Sequence, residues 1–203
     1  MSSYTLSFCR YLLGLRSART SDTPAELALL QRLAAPCHLV IEVGVFEGVA
    51  SALMAAQMPA ESRLVLVDPY FPSVKLERLL RFSMAQTIAH RQLSPHRNKV
   101  TWVREISARA AEQVRPLGLA DLIFIDARHE YEYVAEDFRT WSPLLAPGGK
   151  LAFHDSLPCP TRPDLYAEVG SVKFARELQQ GQHGPWTLTD HADSLSVFTL
   201  LNT

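Results

Sequence analysis

The chain has 203 residues, enough for one α/β domain with a sizeable core. Its formal net charge of −1 excludes binding to nucleic acid by bulk electrostatics. No apolar run can span a bilayer, Arg10 breaks up any signal-peptide core, and Cys9, Cys37 and Cys159 show neither disulfide nor metal-site spacing, so the chain reads as soluble and cytoplasmic.

Residues 1–22 alternate Tyr4, Leu6, Phe8, Tyr11, Leu12, Leu13 and Leu15 with Arg10, Arg16 and Arg19, the pattern of an amphipathic helix. The plainer expectation packs it on the domain or on a second subunit. The sharper ones make it a cover over a cleft or a membrane-surface contact. Ser21-Asp22-Thr23-Pro24 starts a helix, reinforced by Glu26 and ended by Pro36, with Leu27, Leu30, Leu33 and Ala34 on one face.

The stretch His38 to Gly48, HLVIEVGVFEG, organises the rest of the chain. Leu39, Val40, Ile41 and Val43 form a short strand buried on both faces, interrupted by Glu42, whose carboxylate needs donors if it is buried. Gly44 and Gly48 come next, then a helix from Val49 to Met58. Strand, glycine turn and helix place the turn at the carboxyl end of a strand, where a parallel sheet binds small ligands. Gly44 is expected to let a ligand approach the backbone, and Gly48 to let the helix start pack closely.

Arg63 to Val67 is a second strand, closed by Asp68-Pro69-Tyr70. Asp68 follows Gly44 near the ~20-residue offset at which an acid meets ribose hydroxyls. Residues 73–94 read as one helix with Leu76, Leu79, Leu80, Met84 and Ile88 on one side. Asn98 to Val103 is a third strand, and Ser107 is placed to cap the next helix. Ala120 to Ile125 is a fourth strand ending in Asp126. After it come a helix from about Tyr131 to Leu145 and a Pro147-Gly148-Gly149 turn. Lys150 to Phe153 is a fifth strand ending in His154-Asp155. A polar loop from Ser156 to Asp164 leads to a last helix, Val169 to Gln180. Trp186 to Thr189 and Leu195 to Leu200, separated by a turn at Asp190 to Ser194, read as a hairpin.

This order predicts an α/β, doubly wound, mostly parallel sheet of seven strands with a C-terminal antiparallel hairpin and helices on both faces. Glu42 and Gly44, Asp68, Asp126, and His154-Asp155 then stand at four strand ends on one rim. Strand-end capping explains any one of them. Four together point to a site for a ligand with hydroxyls, a cation or a metal.

The runs EVGVFEG, VLVDPY and DLIFIDARHEYEYVAEDFRTWSPLLAPGGKLAFHD resemble the class I, Rossmann-like S-adenosylmethionine-dependent methyltransferases. Within that class they resemble small bacterial O-methyltransferases with an aspartate-x-x-histidine-x-tyrosine pattern, a Pro-Gly-Gly turn and histidine-aspartate. The resemblance covers about residues 25–200. It makes 23–203 the cofactor-binding domain and 1–22 an N-terminal extension. It implies that Glu42 and Gly44 meet the methionine part of S-adenosylmethionine, the acid at its ammonium group, with Glu47 and Gly48 completing the turn. Asp68 accepts from both ribose hydroxyls. Ile106 and Ser107 hold the adenine, and Asp126 stands beside the methyl group and the acceptor. S-adenosylhomocysteine is then the product. The absence of a G-x-G-x-x-G phosphate turn disfavours a nicotinamide cofactor.

The resemblance also offers His129 as general base, working beside Asp126 as the catalytic pair; the competing reading has it only orient its loop. Related enzymes hold a divalent metal with acids after the fourth and fifth strands. Here the set is Asp126, His154 and Asp155. His154 stands where an oxygen ligand is usual, which suits magnesium poorly and leaves a metal undecided. A small-molecule acceptor and a homodimer through the apolar N-terminus are the expected partners. The alternatives are a metal-dependent hydroxylase on the same scaffold and a non-catalytic cofactor-binding subunit.

Overall fold

A computed structural model describes residues 3–160, 162–165 and 169–201. Seven strands form one sheet: β1 (Leu39–Val43), β2 (Arg63–Val67), β3 (Val100–Val103), β4 (Ala120–Ile125), β5 (Leu145–Phe153), β6 (Trp186–Ala192) and β7 (Leu195–Leu200). Their order is β3-β2-β1-β4-β5-β7-β6. The first five are parallel to one another, and β7 runs antiparallel to both β5 and β6. The predicted fold class is therefore the observed one.

Helices cover both faces. On one side lie α2 (Pro24–Ala34), α3 (Val49–Gln57) and α5 (Met84–Gln92), packed through Leu30, Leu33, Met54 and Ala89. On the other lie α6 (Ser107–Val114), α7 (Tyr131–Trp141) and α8 (Gly170–Gln179), packed through Val114, Trp141, Phe174 and Leu178. Period-two alternation divides β1 between them: Ile41 and Val43 face α6–α8, whereas Val40 faces α2 and α3. Glu42 shares the face of Val40 and so is carried toward α2 and α3.

Two further helices, α1 (Ser3–Leu12) and α4 (Lys75–Leu80), lie outside this sandwich. The extension is thus helical as expected, and Phe8 of α1 rests 6.2 Å from Phe82. None of the described helices is long and apolar enough to cross a membrane.

Several local readings change. The single helix expected over 73–94 is two, because Arg81 turns left-handed (φ 53°) and Ser83 caps α5 by accepting from the Gln86 N–H at 3.3 Å. The Glu77 carboxylate bridges the break, accepting from Ser73, Val74 and Met84 N–H groups at 2.6, 3.1 and 2.6 Å. Leu79 and Leu80 point outward as a result. The helix after β4 stops at Trp141, before Pro143. The Pro147-Gly148-Gly149 turn lies within β5, at a shift in the pairing between Ala120 and Leu122 of β4. The hairpin turn shrinks to Asp193-Ser194. Ser107 is the first residue of α6 rather than its cap, which is Ile106.

Register sets the rim. Val43 is level with Val67 and with Ile125, Ile125 with Phe153, and Val67 with Val103. The residue after each strand therefore emerges at one edge of the sheet. Gly44 matters here for a reason other than ligand access: a Cβ on it would stand 2.0 Å from the Asp126 carbonyl oxygen, and its φ of +91° already disfavours a side chain. The β1 turn and the end of β4 touch through backbone alone. Gly44→Ala is expected to destabilise the fold by about 3 kcal/mol, read from the urea midpoint, against about 1 kcal/mol for Gly118→Ala, whose added Cβ meets open space. Equal losses would mean that only the backbone angle matters.

Candidate active site

The rim opens on a cleft of about 600 Å³ at the point where the strand order reverses between β1 and β4. Its floor is Val43, Gly44, Asp68 and Asp126. Ile106, Ser107, Tyr133 and Asp137 also line it, as do Phe46, Tyr70 and Phe71. Tyr4 of α1 reaches its edge, so the extension borders the cleft. Three of the predicted residues that come from different strands, Gly44, Asp68 and Asp126, thus share one hollow.

Asp68 is fixed from within the rim. Its Oδ2 accepts from the Val45 and Phe46 N–H groups at 3.0 and 3.2 Å, and Oδ1 from that of Tyr70 at 2.7 Å. A carboxylate has about four lone-pair sites, so one remains, on Oδ1, for a ligand hydroxyl. The Tyr70 hydroxyl is buried at the cleft wall with no partner, and burial raises its pKa. Ser107 Oγ donates to Asp137 and accepts from Trp141 Nε1 at 2.7 Å. Its hydroxyl is therefore committed to the core, and what it shows the cleft is its backbone at the start of α6. Burial, opposed by the Ser107 bond, pushes the Asp137 carboxyl up to about 6.

A second, much smaller cavity of about 20 Å³ adjoins the cleft, sharing Val45, Phe46 and Asp126 with it. Glu42 and Asp22 line it. Glu42 is 2% exposed, and its Oε2 has no hydrogen-bond partner. Burial raises its pKa well above the ordinary carboxylate range, helped by repulsion from Asp22, Asp126 and Asp68 and opposed by Ser51. A buried acid without a partner is costly in the isolated fold and marks a place for a cation.

The turn's other acid does something else. Glu47 is 0% exposed and lines neither cavity. Its Oε2 and Oε1 accept from Arg16 Nη1 and Nη2 at 2.7 and 2.9 Å, and Oε2 also from the Arg19 N–H at 2.7 Å. It holds the N-terminal segment rather than presenting oxygen to the cleft. Gly48 likewise serves packing, since a Cβ there would lie 3.0 Å from Ala89 of α5.

The protein family described as a methyltransferase domain matches residues 41–156, from β1 to the loop after β5. The chain belongs to that family. Solved structures share its fold. Cofactor-bound Rv0187 from MTB is 16% identical with a TM-score of 0.70, covering 98% of this chain and 90% of that one. The O-methyltransferase TomG from Streptomyces achromogenes, solved with SAM, is 17% identical with a TM-score of 0.65, covering 100% and 91%. The O-methyltransferase from Bacillus cereus, solved with SAH, is 14% identical with a TM-score of 0.65, covering 98% and 91%. Among curated sequences, the uncharacterized protein R132 of Acanthamoeba polyphaga mimivirus is 25% identical over 150 residues, or 72% of this chain. The match spans 63% of that viral protein's length.

In this methyltransferase-domain protein the residues after β4 and β5 form a charge cluster. His154 is buried among four carboxylates: Nδ1 lies 3.2 Å from Asp126 and 3.3 Å from Asp155, and Nε2 lies 3.3 Å from Glu26 and 3.4 Å from Asp22. The Nδ1 contacts lack hydrogen-bond alignment, so charge carries them. Burial lowers the His154 pKa, but Asp126, Glu26 and Asp155 outweigh it and lift it to about 11. Burial likewise works against Glu26, yet bonds from His154, Ser194 and Thr23 bring it down to about 2.

Asp155, with φ +50°, is taken by Arg162. His129 stands 40% exposed outside the main cleft, with Nε2 3.6 Å from Asp155 Oδ2. Its carbonyl accepts from the Ser171 N–H at 3.0 Å, and α8 begins directly against its loop at Gly170, where a Cβ would meet the Tyr131 nitrogen at 2.2 Å. Part of the polar loop beyond Asp155, at 161 and 166–168, lies outside the described residues.

Asp22, Asp126 and His154 each bring one ligand-type atom within 4.8 Å of the others. A ligating imidazole must be neutral, however, whereas the four carboxylates around this ring favour its charged form. Of the set expected from the sequence, His154 already supplies the positive charge and Asp155 faces Arg162. This arrangement does not suit a metal. Asp22 and Glu26, which complete the cluster, were legible in the sequence only as a helix start. Glu26 does form a capping box with Thr23, and it also accepts from Ser194 N–H and Oγ at 2.8 and 2.6 Å.

The folded-state pKa of His154 exceeds its unfolded value near 6.5, so its stabilising contribution is complete below about pH 6.5 and fades as pH rises toward about 11. His154→Gln is expected to lower the melting temperature most near pH 6, and the gap to the native protein should narrow steadily by pH 10. A gap that does not change with pH would show the ring to be neutral.

Proposed function

We propose that the protein is an S-adenosylmethionine-dependent O-methyltransferase acting on a small molecule. The observation that carries this reading is the pairing of Asp68, with an open acceptor site in the large cleft, and Glu42, buried and unpartnered in the adjoining cavity. Between them stands Asp126. The hollow thus has an acid for hydroxyls at one end and a buried acid without a hydrogen-bond partner at the other, which fits a nucleoside bearing an amino-acid ammonium. The O-methyltransferase neighbours, one solved with SAM and one with SAH, agree with it.

In this reading Asp68 accepts from the ribose. Ile106 and the start of α6 flank the adenine, with Phe71 and Tyr133 closing the mouth. Glu42 meets the ammonium group beside the Gly44 turn. The bound cofactor supplies a methyl group already activated on a sulfonium, so the protein's work is alignment and proton removal. With the cofactor bound, the chain itself would have to take the proton that the acceptor's hydroxyl loses. His129 is the base that takes it. Its ring is solvent-accessible, its loop is clamped by α8, and its Nε2 lies 3.6 Å from Asp155 Oδ2. Asp126 positions the acceptor and, through His154, keeps the cation of the cluster in place.

Calorimetry with S-adenosylhomocysteine tests the site. The native protein is expected to bind, and Asp68→Ala to weaken binding about tenfold or more. No binding by the native protein, or unchanged binding by the variant, would sink the reading. His129→Ala should keep that affinity while methyl transfer to an acceptor, found by screening phenolic and sugar pools for added methyl mass, falls by about 10² or more. Loss of binding without loss of rate would remove His129 from the chemistry.

A further inference from the structure

The N-terminal segment does more than border the cleft. Its Asp22 side chain is 3% exposed. Oδ2 accepts from the Thr20 hydroxyl, while Oδ1 has no hydrogen-bond donor and lies 3.4 Å from His154 Nε2. Asp22, Glu42 and Asp126 line the same cavity of about 20 Å³, room for one small polar group. Two buried oxygens from distant parts of the chain, Asp22 Oδ1 and Glu42 Oε2, therefore both lack a hydrogen-bond donor around one small hollow.

Charge accounting gives the same result. Asp155 has Arg162, and Glu26 has Ser194, the Thr23 N–H and His154. Asp22, Glu42 and Asp126 share the small cavity with Arg19, whose Nε is turned to Glu47 at 3.5 Å, and His154 lies beside Asp22 and Asp126 but makes no recorded contact with Glu42. Burial and repulsion by Asp126 raise the Asp22 pKa, the mark of a carboxylate short of positive charge.

We infer that Asp22 is a cofactor-binding residue, which together with Glu42 receives the α-ammonium group at the methionyl end of the cofactor. The inference rests on the methyltransferase reading above. An ammonium offers three donors and one charge, matching two orphan oxygens plus Asp126. The segment arrives already ordered: Arg16 and Arg19 pin it to the buried Glu47, so the turn between β1 and α3 supplies one acid for the ammonium and another that fastens the strand of chain carrying the second. Asp22 lies outside the residues that the family match covers.

The test compares ligands with and without the amino-acid end. In calorimetry, Asp22→Asn should weaken S-adenosylhomocysteine about tenfold while leaving 5′-methylthioadenosine, which lacks that end, within about twofold of native. The native protein should bind the des-amino analogue of S-adenosylhomocysteine more weakly than the parent, and the variant should discriminate between the two much less. Asp22→Ala, with melting curves for both variants, separates binding from folding. Equal losses for both nucleosides, or unchanged S-adenosylhomocysteine affinity, would overturn the inference. So would manganese binding to the native protein alone that disappears in the variant. Failure of the native protein to bind any of the nucleosides would overturn the methyltransferase reading itself. Native binding with an indifferent variant would overturn only the role of Asp22.

Discussion

The site depends on the hydrogen-bonded register at the carboxyl ends of the central strands. Gly44 N–H donates to Val67 O at 2.9 Å, Asp126 N–H to Val43 O at 2.8 Å, and His154 N–H to Ile125 O at 3.1 Å. Each bond joins the first residue beyond one strand to the last residue of its neighbour. A slip of one residue in any of these pairings would turn Glu42 or Asp126 to the opposite face and dismantle the cluster. The apolar residues of β1, β2, β4 and β5 hold that register because they are buried on both sides. The rim is thus specified largely by side chains packed in the core behind it.

Gathering acids at one rim creates a problem of charge, and the fold answers it unevenly. At the β2 end backbone N–H groups satisfy Asp68, so it stays in place with a lone pair to offer. At the β4–β5 end one buried imidazolium is shared among Asp22, Glu26, Asp126 and Asp155. In the small cavity Glu42 Oε2 has no hydrogen-bond donor. That gradient, from satisfied through shared to unmet, separates residues that shape the site from residues that wait for a ligand. A partnered carboxylate such as Glu47 is structural, whereas Glu42, without a donor, is free to meet a ligand in the proposed reading.

The sheet and the rim were legible because their signals are local and strong. Short β-branched runs end in Gly or Asp, helices lie between them, and the chain closes on a hairpin. Glu42 stood out for the same reason, as a charge inside an apolar strand. The rest depended on three-dimensional neighbours. Glu47 reads like a partner of Glu42 in the turn, but Arg16 and Arg19, far back in the chain, claim it. Ser107 reads as a helix cap, but Asp137 and Trp141 occupy its hydroxyl. Gly44 reads as an opening for a ligand, yet the end of β4 fills that space. The long helix over 73–94 failed because periodicity cannot see Glu77 capping the start of a second helix.

Asp22 shows why capping sequences conceal function. In Ser21-Asp22-Thr23-Pro24 any of three side chains could start α2, and local chemistry alone cannot choose among them. The structure gives the cap to Thr23, which accepts from the Glu26 N–H at 3.2 Å and anchors to Asp193 at 2.6 Å. Asp22 is thereby released from helix chemistry but held one residue away from it, at a fixed angle. Glu26 completes the capping box and reaches on to His154 and Ser194, so the start of α2 is tied at once to β5 and to the β6–β7 hairpin. Such a multiply fastened helix start is a rigid mount. A side chain on it is placed by the whole sheet rather than by its own loop, which is the property a residue needs if it is to meet a ligand that arrives from outside.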